Sequence, residues 1–72
     1  MKKEVMVKYY IVTTEQKGNE VVTTKHKMNE LYTIYDVKQI ARTYKLMPNI
    51  LSVRIEREVT VVTVERKVVE VI

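Results

Sequence analysis

Seventy-two residues, 13 basic and 9 acidic with one His and no Cys, describe one small domain over 1–72. A core of that size supplies only about 3–5 kcal/mol, so association with a second chain is a ready source of further stability. The lack of Cys excludes disulfides and thiolate metal centres and fits a reducing, cytoplasmic setting, and a single His cannot build a zinc site without several carboxylates. No segment approaches the roughly 18 apolar residues of a membrane span, and Glu4 and Lys8 interrupt what would otherwise start like a signal peptide. The formal charge of +4 favours polyanions only weakly. Val, Ile, Tyr, Met and Leu without Phe or Trp are the palette of a β-rich core.

From Glu4 to Thr14 the chain alternates, with Val5, Val7, Tyr9, Ile11 and Thr13 on one face, which predicts a half-buried strand. Met6, Tyr10 and Val12 make the other face only partly polar, so some cover is expected there too. Glu15 to Glu20 contains Gly18 next to Asn19, both tolerant of positive φ, and predicts a hairpin turn. Val21 to about Lys27 returns antiparallel. Thr33 and Asp36 are spaced as a variant capping box, with Asn29 as an alternative earlier cap. Ile34, Val37, Ile40, Ala41, Tyr44 and Met47 then recur at helical spacing, predicting a helix over 34–46 that Pro48 ends.

The stretch from Leu51 to Ile72 contains no Gly, Pro, Asn or Asp. Extended at roughly 3.3 Å per residue it reaches about 70 Å, whereas a compact domain of this length is about 30 Å across, from a radius of gyration near 11 Å. Leu51, Val53 and Ile55 predict a third strand. Its phase then falters: Val59 and Val61 hold one face, and Val62 and Val64 the other. A strict two-residue repeat makes such a flip a bulge, a bend or an unmarked turn, with Arg57-Glu58 and Glu65-Arg66-Lys67 as the places for a turn. The expected fold is α+β, a mainly antiparallel sheet in ββαβ(β) order with one helix on one face.

The span Thr33 to Arg57, with the phrase "PNILSVRIER" leading from the helix into a last strand, resembles small ββαβ accessory proteins of bacteriophages and mobile elements. The resemblance implies a phage or prophage accessory role and assigns no functional residues.

No enzyme motif is present: no phosphate-cradling Gly-rich loop, no GxSxG, no HExxH and no Cys nucleophile. His26, flanked by Lys25 and Lys27, reads as a surface-strand histidine, and Glu56 and Glu58 as a charge ladder neutralised by Arg54 and Arg57. Tyr9 and Tyr44 fall on core faces; Tyr10 and Tyr32 are the candidates for an exposed stacking surface. Lys38, Arg42 and Lys45 form a basic stripe opposite the helix's core face, with Lys25 and Lys27 joining if strand two emerges on that side. This is the candidate face for a polyanion or an acidic partner.

Val59 to Val64 is uncharged, rich in β-formers and free of Pro, so it should be paired, within the sheet or across an interface. With two copies antiparallel about a two-fold axis through Val61, Arg57 faces Glu65, Glu56 faces Arg66, and Val59 faces Thr63. Shifting by one sets Arg57 against Arg66 and Glu58 against Glu65. The expectation is a non-enzymatic protein–protein interaction module, needing no cofactor or metal, that dimerises through Arg57, Val59, Val61, Thr63 and Glu65 and has a host protein as a further partner. The alternative is a nucleic-acid-binding protein using the basic helix face.

Overall fold

The computed structural model describes residues 2–64, with side chains over 3–63. Its elements are β1 (Lys2–Lys17), β2 (Glu20–Lys27), α1 (Ile34–Lys45) and β3 (Ile50–Val64). The three strands form one antiparallel sheet in the order β2-β1-β3, and α1 packs on one face of it, so the fold is α+β as expected.

Local chemistry accounts for the joints. The β1–β2 loop is two residues long, with Gly18 at φ 58° and the ladder closing on Lys17 opposite Glu20. Gly takes that φ without the Cβ clash that penalises other residues. The Thr33 hydroxyl accepts from the Asp36 N–H at 3.3 Å, and the Asp36 carboxylate accepts from the Thr33 N–H at 2.9 Å. The capping box is therefore reciprocal, and it satisfies donors that the first helical turn leaves open. Asn29 does not cap the helix; its side chain accepts from the Leu31 N–H at 2.9 Å within the preceding loop. After Pro48, Asn49 takes φ 71°, and its carbonyl accepts from the Gln16 N–H at 2.8 Å, which locks the start of β3 to the hairpin end of β1.

Residues 10–15 of β1 lie between both neighbours, 16 and 17 pair with β2 alone, and residues 2–9 of β1 pair only with 57–64 of β3. The molecule thus has a three-stranded end and a two-stranded ribbon projecting from it. Helix α1 sits on the three-stranded end, on the face that carries Ile11, His26, Val53 and Ile55. Ile11 and Val37 are fully buried between helix and sheet, with Thr13 nearly so. Full burial of such side chains contributes roughly 1.5–3 kcal/mol each. Val12 is buried as well, from the opposite face, under a lid of charged side chains. The result measures 68 × 25 × 16 Å with a radius of gyration of 18.8 Å, far from the compact expectation. As far as Val64, the long C-terminal chain is accommodated by an equally long β1.

Two expectations for that chain are corrected. Arg57-Glu58 is not a turn, because these residues stand opposite Tyr9 and Lys8 in a continuous ladder. The phase flip at Val61 and Val62 is not a bulge: Val61 pairs with Val5 and Val62 with Glu4 in unbroken register. The ribbon lies beyond the helix, so neither of its faces is a core face that would enforce strict alternation. The one irregularity of the ladder is elsewhere. Thr14 pairs with Ser52 and Glu15 with Ile50, which leaves Leu51 as an extra, exposed residue and breaks the expected Leu51, Val53, Ile55 face at its first member. The turn considered at Glu65-Arg66-Lys67, and any fourth strand after it, lie outside the described residues.

Candidate functional site

The ribbon is where apolar surface is left uncovered. On the helix side, cross-strand pairs Val5–Val61 and Val7–Val59 are exposed by 63%, 58%, 41% and 50% in that order, a valine patch continuous with the sheet face that α1 covers further along. The opposite face carries exposed Met6 and Val62 beside Glu4 and Thr60. A cluster of this kind on a thin two-stranded ribbon marks an interaction site more readily than scattered apolar residues do.

The same segment forms a sheet edge. β3 is bonded to β1 on one side, and its other side meets no strand among the described residues. The other edge, β2, is eight residues long and carries Lys25 and Lys27, the short, lysine-bearing form that discourages strand addition. The β3 edge is fifteen residues long and carries no charge from Val59 to Val64. Of the five residues expected at a dimer interface, Arg57, Val59, Val61 and Thr63 lie on one exposed face of β3. Glu65 lies outside the described residues.

The bare face of the three-stranded end is covered by side chains alone. Lys25 of β2 reaches Glu56 of β3 at 3.3 Å, and Arg54 Nε meets the other Glu56 oxygen at 3.2 Å. Lys25 also stands 4.3 Å over the Tyr10 ring, so Tyr10 is a half-buried member of this lid and not an open stacking surface. The hydrogen bonds from Arg54 and Lys25 hold the Glu56 carboxyl below its ordinary value. This network spans β2 and β3 above Val12.

The basic residues divide between two places. Lys38, Arg42 and Lys45 do not stand opposite the core face. With Ala41 they line a groove of about 210 Å³ whose other wall is Val53 and Ile55 of β3, so the stripe flanks the sheet contact on the side of the free edge. Lys25 and Lys27 alternate with His26 and therefore project from the face away from α1. They do not extend the helix stripe.

His26 also departs from its expected surface position. It is half-buried beneath α1, its ring stacked on Tyr44 at 4.9 Å and 27°, with Nε2 3.1 Å from the Thr13 hydroxyl. It lines an open depression of about 560 Å³ with Tyr44, Met47 and Ile50. A neutral hydroxyl does not polarise an imidazole as a carboxylate does, so the geometry is that of a packed aromatic with its polar atom satisfied. The signal that could have placed it is alternation on β2, where Val22, Thr24 and His26 share one face. Among the described residues no group of three His, Cys, Asp or Glu is placed to hold a metal ion, and no helix is long and apolar enough to cross a membrane. No protein-family model, curated protein or solved structure matches the chain.

Proposed function

We propose that the protein is a non-enzymatic protein–protein interaction module that assembles as a homodimer through β3. Its setting is the cytoplasm, as an accessory protein of a phage or prophage with a host protein as the further partner; that setting follows from the sequence resemblance and the lack of Cys. The observation that carries the dimer reading is the fifteen-residue edge of β3, whose uncharged stretch beyond the helix lies next to the exposed Val5, Val7, Val59 and Val61 patch. A free edge of that length and composition recruits another strand, and a small core gains from the apolar surface that association covers. The alternative of nucleic-acid binding has less support. With Lys25 and Lys27 on the other face of the sheet, the helix offers three cations, enough for roughly three phosphates and a salt slope of only about −2.7.

Light scattering on the full chain at micromolar concentration is expected to give twice the monomer mass, and Val61→Lys, which sets like charges against each other at the strand centre, is expected to return a folded monomer. A wild-type monomer, or a dimer that survives this substitution, removes the assembly reading.

A further inference from the structure

The hydrogen bonds at the two ends of β1 fix which way each backbone group of β3 points. The Tyr9 carbonyl accepts from the Met28 N–H of the β2 side at 2.9 Å, and the Gln16 N–H donates toward β3, to the Asn49 carbonyl, at 2.8 Å. A strand residue points its N–H and C=O to the same side, and successive residues alternate. Odd-numbered residues of β1 therefore bond toward β2 and even-numbered ones toward β3. The even residues Lys8, Met6 and Glu4 stand opposite Glu58, Thr60 and Val62, so those three residues of β3 bond inward. Arg57, Val59, Val61 and Thr63 turn their N–H and C=O groups outward, to the edge that meets no strand among the described residues.

This parity restricts how a second copy can add, an inference that rests on the dimer reading above. In an antiparallel pair the outward groups of one β3 must meet outward groups of the other, so odd residues face odd residues. The register one step off, with Arg57 against Arg66, fails on the backbone as well as on charge. Of the registers that remain near the uncharged centre, counted along the sequence, an axis at Thr60 sets Arg54 against Arg66, and one at Val62 sets Arg57 against Lys67, with Glu58 against the opposite charge of Arg66. An axis at Val61 sets Arg57 against Glu65 and Val59 against Thr63, with opposite charges on both flanks. Here Glu65, Arg66 and Lys67 enter only through their charge in the sequence.

We infer that the partner on the β3 edge is a second copy of this chain, with the two-fold axis between the two Val61 residues. Val61 and its symmetry mate form a hydrogen-bonded pair and exchange both N–H···O bonds. The two sheets join as β2-β1-β3-β3-β1-β2. The contact is isologous and closed, so pairing stops at two copies.

Disulfide trapping tests the register, since the chain has no native Cys. Facing residues of a hydrogen-bonded pair have Cα atoms about 5.5 Å apart, within disulfide range. Thr60 and its mate, offset by two residues along the strands, are about 8 Å apart, beyond that range. Under mild oxidation Val61→Cys is expected to cross-link to a covalent dimer, while Thr60→Cys, Val62→Cys and Val5→Cys stay uncross-linked. Val59→Cys mixed with Thr63→Cys is expected to give a mixed dimer that neither forms alone. Equal cross-linking at Thr60 or Val62 overturns this register, and cross-linking at Val5 replaces edge pairing with face-to-face packing of the valine patches. A dimer by light scattering that fails both the Val61 and the Val59/Thr63 traps overturns the register alone. A chain that is monomeric by light scattering overturns the dimer itself, and the occupant of the edge is then sought in the chain's own residues after Val64.

Discussion

Among the described residues Glu56 is the most highly connected charge, bonded to Arg54 along its own strand and to Lys25 two strands away. Both partners favour the ionised carboxylate, and the group's pKa is lowered from the ordinary 4.5. A lowered value in the folded state gives stability that is present above the ordinary value and lost as pH falls through the lowered one. Glu56→Gln is therefore expected to be less stable than the wild type near neutral pH by a gap that closes in acid. All three side chains are partly exposed, so added salt should also narrow the gap. Thermal melts of both proteins across pH, at one protein concentration, measure it; a gap that persists in strong acid would assign the loss to packing over Val12 instead.

At the scale of elements, the helix is held by its cap as well as by its buried face. Thr33→Ala leaves the Asp36 N–H without its acceptor and is expected to cost about 1 kcal/mol in chemical denaturation, with Thr33→Ser restoring most of it. A loss equal in both variants would show that the methyl group matters and the hydroxyl does not. The cap and the Gly18 turn were legible in the sequence because each is decided by residues within a few positions of it. The Leu51 bulge was not legible, because it depends on where Asn49, at positive φ, anchors β3 against Gln16 on a distant strand. The position of His26 depends likewise on α1 crossing above it. The flip at Val61 and Val62 was visible, but a bulge is its cause only where one face is buried, and the ribbon has no buried face.

The whole molecule is a small core with a long arm, and the arm is the part composition alone could not foresee. A chain of this size was expected to be about 30 Å across; its 68 Å length reflects the ribbon in which residues 2–9 and 57–64 match each other residue for residue past the end of the helix. Hydrogen exchange should resolve the two edges of that arm. In a Val61→Lys monomer the inward amides of Glu58, Thr60 and Val62 are expected to exchange more slowly than the outward amides of Val59 and Thr63, whereas in the proposed wild-type dimer both sets should be slow. Outward amides that stay fast in a proven dimer would place the contact away from the edge.

The helix covers only one face of the sheet, and only one end of it. A two-fold axis relating antiparallel edge strands stands perpendicular to the sheet, so it carries that asymmetry into the pair unchanged. In the proposed dimer both helices then rise from the same side, one at each end of a floor made by the valines of two ribbons, and the reverse side stays flat under the lids of Lys25, Arg54 and Glu56. A third molecule would meet an object with a distinct front and back, although each chain alone is little more than a hairpin, a helix and a strand.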